Sequence, residues 1–358
     1  MTFAANSSLT NRERIFKASC VGLVATAMTF GIRADILSQL VSQFHLTNEE
    51  VGWIAGTAFW GFTLSMFLGG PMSDWLGMKR VIQIAFVTHL LGIATTIAAH
   101  SYMTLFLGTM AIGMGNGFYE SATNPLTATL YRSHKTERLN RLHVWFPTGI
   151  VIGCLAGLAV RRMGLSWRAE MATILLPTFA YGLFFFRTDL PPTERVEGGV
   201  TASVMYRQAL RPGFLLLLFC ILLTAATELG PNQWIPSLLT DTLHLSGVVV
   251  LIWITGLMAI GRRFAGPIVQ RISPTALLMF SAILAAIGLF GLGSSSSAIG
   301  VFVTATVYAL GVCYFWPTMY GITAERFPAG GAFLLSLMGG MGMLSDALVI
   351  PLIGRMYD

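Results

Sequence analysis

Charge is what this chain has least of. Asp, Glu, Lys and Arg make up 11% of 358 residues, against 54% hydrophobic residues and a mean hydropathy of +0.70. That leaves too little polar surface to cover one or two water-soluble cores, so a soluble globular protein is excluded. Cysteine is scarce as well. Cys20, Cys154, Cys220 and Cys313 all fall in apolar stretches without metal-ligand spacing, so neither a disulfide framework nor a metal site is expected. The sequence has no phosphate-cradling glycine loop and no nucleophile–base arrangement, so an enzyme and a bound cofactor are not expected either. The net charge of +6 is spread from loop to loop rather than gathered in one patch, which argues against nucleic acid as a partner. A cleavable leader is also excluded: the first apolar run is too long and carries Arg33 and Asp35, so the N-terminus is expected to be retained.

What is present is a series of apolar segments long enough to cross a bilayer as helices. They lie near 15–44, 51–73, 79–99, 102–131, 142–160, 168–187, 213–238, 247–270, 274–293, 297–323 and 329–354, eleven spans in all. The chain therefore reads as an all-α integral membrane protein. With the N-terminus inside, most of the Lys and Arg residues fall in cytoplasmic segments, so the positive-inside rule predicts a cytoplasmic N-terminus. Between Thr188 and Pro212 the composition turns polar and rich in turn formers (Asp189, Pro191, Pro192, Glu194, Arg195, Glu197, Gly198, Gly199). This predicts an N-terminal six-helix bundle over 1–187, a cytoplasmic linker over 188–212 and a C-terminal bundle of five helices over 213–358.

Across that linker the chain repeats at a nearly constant offset. Asp35 pairs with Glu228, Pro125 with Pro317, and Gly70-Pro71 with Gly266-Pro267. Duplicated halves with a binding site at their interface are a plan of secondary transporters. By that plan the second half should hold six helices, so a twelfth span is expected but missing.

An ionisable group stranded in hydrocarbon is a functional candidate by default, and Glu120 sits inside the apolar stretch Tyr102–Tyr131. Asn116, Glu120 and Asn124 are spaced i, i+4, i+8, so a helix stacks them on one face, and this stripe is expected to line a cavity. Asn232 and Gln233, beside Glu228 in the seventh span, supply further donors and acceptors. Trp316 and Trp234 offer flat faces for stacking. His89 reads more readily as a hydrogen-bonded packing residue, Asp346 equally as a lining of the C-terminal cavity or a partner of the backbone or Ser345, and the Met- and Gly-rich run 338–343 as close helix packing.

The segment from Gly69 to Arg80, Gly-Gly-Pro-Met-Ser-Asp-Trp-Leu-Gly-Met-Lys-Arg, resembles the cytoplasmic loop signature of the major facilitator superfamily. It departs from that pattern at Trp75 and Met78, where basic residues are commoner. Within the superfamily, Glu120-Ser121-Ala122-Thr123-Asn124-Pro125 resembles the Glu-x-x-x-Asn-Pro signature of the fucose, glucose and galactose symporter family. Asp35-Ile36-Leu37, Leu46-Thr47-Asn48, Arg263-Phe264-Ala265-Gly266 and Phe315-Trp316-Pro317-Thr318 resemble other parts of that family.

The resemblance implies a major facilitator fold of two pseudo-symmetric bundles in a bacterial inner membrane, importing a monosaccharide by proton symport as a monomer. It implies proton coupling through Glu120 and Asp35, with Na+ as the other possible coupling ion. Asn116, Asn124, Glu228, Asn232, Gln233 and Trp316 are then expected to bind substrate, and Gly70, Asp74, Gly77, Lys79, Arg80 and Arg263 to gate. One departure stands out: where the family has Asn before the acid, this chain has Ala34, and Arg33 stands just upstream. A cavity arginine suits a carboxylate or phosphate. Two readings therefore compete with the neutral sugar: a proton-coupled transporter or exporter of an organic anion or sugar acid, and a membrane sensor that no longer transports. A purely structural Glu120 paired to Arg33 is the bland alternative at that site.

Overall fold

The computed structural model describes residues 2–243 and 245–357. Among these residues there are only helices and their connections. In chain order they are α1 (Thr2–Phe44), α2 (Asn48–Met72), α3 (Met78–Ile97), α4 (Tyr102–Leu130), α5 (Lys135–His143), α6 (Trp145–Arg162), α7 (Trp167–Thr173), α8 (Leu175–Phe186), α9 (Glu194–Glu197), α10 (Ala202–Ala209), α11 (Pro212–Leu243), α12 (Gly247–Arg263), α13 (Ala265–Val269), α14 (Pro274–Ser294), α15 (Ala298–Val312), α16 (Phe315–Arg326) and α17 (Gly331–Tyr357). Eight helical stretches are long and apolar enough to cross a membrane. One of them, Glu49–Ile97, runs for 49 residues and has the length for two crossings. The polar α4 is not among the eight. It is nonetheless a 29-residue helix, buried from Gly115 to Thr129, because its polar stripe is covered by protein.

Local chemistry sets several boundaries. Thr47 caps α2 and Glu50 reaches back to its backbone, a reciprocal capping box, and Ser101 with Thr104 does the same for α4. Ser273 caps α14 just ahead of Pro274, and Pro is favoured at the first helical turn. The stretch expected as a loop after the second span is helical instead: α2 passes through a π-helical turn at Ser73–Gly77 straight into α3. Gly77 closes that turn at φ +87°, a backbone conformation that favours glycine. The linker is likewise not featureless, since it carries α9 and α10, capped by Thr193 and Thr201.

α1 packs on α6, α4 and α8; α2 and α3 pack on α4; α14 packs on α15; and α11 packs on α17 and α12. The contact that joins early and late parts of the chain most directly is that of α2 with α17. It depends on small residues. A Cβ at Gly70 would come 2.7 Å from Cβ of Ser336, and one at Gly340 would run into Phe67. The Met- and Gly-rich run thus lets two helices approach closely, as the sequence predicts for it.

One close backbone contact within the N-terminal part is at Gly113, where a Cβ would lie 2.7 Å from the Ala58 carbonyl oxygen and 2.9 Å from the Ala58 Cα. Backbone atoms yield little to such an intrusion. Gly113→Ala is therefore expected to destabilise the fold by about 1–3 kcal/mol. The check is thermal unfolding in detergent: a melting temperature equal to that of the unmodified protein would show that α2 and α4 are not locked here.

Candidate functional site

Between the two halves lies a small cavity lined by Glu120, His143, Phe146, Glu228, Leu229, Arg262, Trp316 and Met343. Glu120 and Glu228 are 1% and 3% exposed, so both carboxylates are out of bulk solvent. They are held very differently. Nη2 of Arg262 donates to Glu228 Oε1 at 2.7 Å, a buried ion pair. Glu120 has no ion-pair partner among the described residues, and the Asn124 amide donates to its Oε2 at 3.2 Å. Asn124 Oδ1 lies 3.1 Å from Nε2 of His143. A carbonyl oxygen only accepts, so Nε2 carries the proton, and a donor chain runs from His143 through Asn124 to Glu120. Its position one helical turn after Glu120 is what places Asn124 in that chain.

Arg262 does more than pair. Its Nε donates to the Cys313 carbonyl at 2.6 Å and its Nη1 to the His143 carbonyl at 3.2 Å. One side chain from α12 thereby ties α11, the break between α15 and α16, and the end of α5. The rings of His143 and Tyr320 lie 5.6 Å apart and those of Tyr320 and Trp316 6.1 Å apart, tilted by 36° and 32°, in a row of aromatic side chains near the carboxylates.

Other sequence candidates lie elsewhere. Asn116 faces away from the cavity: it donates to Thr29 Oγ1 at 2.9 Å and accepts from His89 Nε2 at 2.8 Å, and the other nitrogen of His89 is 2.8 Å from the Tyr181 hydroxyl. The expected stripe therefore splits, with Asn116 in a buried structural network and Glu120 and Asn124 at the cavity. Asp35 is ion-paired to Arg161, which also lies 3.5 Å from Glu170. Arg33 does not partner Glu120. Its guanidinium sits over the rings of Phe30 and Phe59, 5.1 and 5.3 Å from their centroids, and its Nη2 is buried with no hydrogen-bond partner. Asn232 is buried, its Oδ1 unpartnered, while Gln233 is half-buried. Trp234 Nε1 donates to the Ile350 carbonyl at 3.1 Å.

The residues expected to gate are sorted as sharply. Asp74 turns to the linker, where Nε of Arg195 donates to it at 2.7 Å and the Thr193 hydroxyl also donates. Lys79 pairs with Asp189 at 2.9 Å, whereas Arg80 and Arg263 are exposed. Lys135 pairs with Glu194 at 2.6 Å and donates to the Ala324 carbonyl at 3.1 Å, and Thr136 donates to Glu325 through its backbone and its hydroxyl. On the linker side these contacts hold the halves together around a second small cavity, lined by Pro125, Thr129, Glu194 and Leu335 among others.

Sequence reasoning missed Arg262, His143, Tyr320, Arg161, Glu170 and Arg195. A signal for Arg262 existed: of the two adjacent arginines ending an apolar span, only one can turn inward. None existed for Arg161, because its partner lies 126 positions away.

A family model for the Major Facilitator Superfamily matches residues 18–350. The chain belongs to the major facilitator superfamily. Among curated proteins it is similar to the putative niacin/nicotinamide transporter NiaP of Bacillus subtilis, 24% identical over 95% of this chain and 88% of that protein. It is also similar to the hexuronate transporter of Bacillus subtilis, 22% identical over 60% of this chain and 54% of that one. Among solved structures, a proton:xylose symporter, XylE, aligns with a TM-score of 0.80 at 15% identity over 98% of this chain and 89% of that one. The Escherichia coli fucose:proton symporter FucP aligns with a TM-score of 0.74 at 18% identity over 96% of this chain and 92% of that one. These likenesses establish the fold and a transporter rather than an enzyme.

Breaking the Arg262–Glu228 pair from one side leaves a buried charge uncompensated. Arg262→Ala is expected to cost about 3–5 kcal/mol of stability, with part of the loss recovered in the double variant Arg262→Ala, Glu228→Ala. Additive melting shifts in that double-mutant cycle would mean that the two side chains do not act as a pair. On the linker side, Asp74→Asn is expected to raise the rate at which a thiol reagent labels a cysteine placed at Thr129. An unchanged rate would show that the linker contacts do not control access there.

Proposed function

We propose that this transporter is a proton-coupled monosaccharide symporter working by alternating access, with Glu120 as the coupling carboxylate. One observation carries the reading. Glu120 is a buried acid on the wall of the cavity between the halves, held by a neutral amide rather than by a cation. Burial favours the neutral form of a carboxylate, and opening to water reverses that preference, so such a group loads and releases a proton as the site changes face. Glu228 cannot switch as easily while Arg262 holds it.

The cavity chemistry supports a hydroxylated neutral solute. Its guanidinium is already committed to Glu228 and two carbonyls, which leaves carboxylate and amide oxygens to accept from sugar hydroxyls and Trp316 to stack on a pyranose face. Glu120, Asn124, Glu228 and Trp316 are the proposed contacts, with Asn232 and Gln233 one turn further along α11. Asp35, bound to Arg161, acts in this reading as a polar anchor at the other end of the N-terminal bundle. The structural neighbours named as xylose and fucose symporters point the same way. In the proposed orientation the N-terminus and the 188–212 linker face the cytoplasm of a bacterial cell, and the linker contacts of Asp74 and Lys79 close the inward path. The six-helix and five-helix divisions at 1–187 and 213–358 are the two rocking bodies.

A second reading, transport of a small organic anion or sugar acid, is favoured by the unpartnered Nη2 of Arg33 and by the relatives named for niacin and hexuronate. Counterflow in proteoliposomes separates the two, with labelled monosaccharides set against uronic acids and nicotinate. With Glu120→Gln, a neutral sugar is expected still to exchange while uphill, pH-driven uptake is lost. Exchange confined to anions would overturn the sugar assignment, and retained uphill uptake would remove Glu120 from the coupling step.

A further inference from the structure

Four oxygen atoms on two adjoining helices are buried with no hydrogen-bond donor: Oε2 of Glu228, Oδ1 of Asn232 and both carboxylate oxygens of Asp346. The residues are 3%, 5% and 0% exposed. Glu228 and Asn232 are one turn apart on the same face of α11. Asp346 lies on α17 alongside that turn. Its neighbour Ser345 donates to the Leu222 carbonyl at 2.5 Å and Trp234 donates to the Ile350 carbonyl, so the two helices run side by side through this level. Ser345 therefore faces the backbone of α11 and does not serve Asp346.

Among the described residues, the groups around Asp346 give it no cation of its own. Glu228 on α11 is the nearest charge, and Arg262 on α12 is taken up by Glu228 Oε1 and two carbonyls. On α15 the Tyr308 hydroxyl donates to the carbonyls of Thr227 and Glu228. On α4 Glu120 lines the central cavity, and on α16 Tyr320 packs against His143 and Trp316. Arg262 is thus committed to Glu228, and Asp346 is left without a cation among the described residues, while four acceptors have no donor. In a protein interior both deficits are costly. A single monovalent cation offsets both deficits, because a proton on Asp346 supplies a donor and a sodium ion takes oxygen ligands.

We propose that Asp346, Oε2 of Glu228 and Oδ1 of Asn232 form a monovalent-cation site in the C-terminal half, separate from Glu120. In transport, which rests on the ion-coupled reading above, this site makes the coupling a two-ion process with one ion in each half. Glu228 belongs both to this site and to the cavity wall, so occupancy by the cation and the hold of Arg262 on Glu228 are linked.

The test uses the purified full-length protein with sodium and protons as the only probes, comparing the unmodified chain with Asp346→Asn, Asn232→Leu and Glu120→Gln. Radioactive sodium binding and proton uptake on acid titration are measured on each, with melting temperature recorded to identify any variant that fails to fold. Saturable sodium binding that survives Glu120→Gln but is lost in Asp346→Asn and weakened in Asn232→Leu identifies a sodium site. Absent sodium binding, one fewer proton taken up by Asp346→Asn and a shifted titration in Asn232→Leu identify a proton site. Sodium binding and proton uptake in Asp346→Asn equal to those of the unmodified chain would overturn the proposal, and so would a folded Asn232→Leu that behaves as the unmodified chain does. Ion binding needs no solute, so failed sugar counterflow counts against the monosaccharide reading alone.

Discussion

The buried guanidinium of Arg262 is the interaction on which the arrangement of the site depends. A charge in a bilayer-embedded interior persists only if it is paired and its remaining donors are met. Here it meets Glu228, the Cys313 carbonyl and the His143 carbonyl, which belong to three different parts of the chain. Meeting them fixes the end of α5 against the break between α15 and α16, and that contact brings His143, Trp316 and Glu120 around one cavity. The cost of leaving any of these contacts unmade is what makes the geometry specific.

The same constraint explains the asymmetry between the two cavity acids. Glu228 has taken the available cation, so Glu120 is left with an amide. An acid held by a neutral donor changes protonation without dismantling an ion pair, whereas one locked to arginine does not. In the proposed reading, a division of labour between a fixed and a switchable carboxylate follows from Arg262 being the single cation among the described residues at the cavity wall.

The linker side is governed by a different balance. Asp74, Lys79 and Lys135 pair with residues of the 189–195 stretch; Lys79–Asp189 is open to water, whereas Asp74–Arg195 and Lys135–Glu194 are largely covered. Pairs in contact with water contribute little each, up to about 1 kcal/mol. A contact as weak as Lys79–Asp189 is made and broken readily, which in the proposed alternating-access reading suits an element that parts once per cycle. The close approach of α2 and α17 at Gly70 and Gly340 is of the other kind, a packing contact between small residues that permits sliding without a charge to separate.

The sequence by itself determined the membrane class, the helical content, the polar linker, the superfamily and the placing of an acid in an apolar helix. Hydropathy, capping residues such as Thr47 and Ser101, and one-turn spacing are local properties, and they survive folding unchanged. It also made Glu120 and Asn124 neighbours, since both lie on one helix. Only the tertiary structure decided which partners distant residues find: that Asn116 serves His89, that Arg33 rests on phenyl rings, that Asp35 belongs to Arg161, and that Arg262 rather than Arg263 turns inward. Each of those outcomes depends on where another helix passes. Spacing along one chain places side chains on a face, and which charge or ring meets that face is fixed only when the helices pack.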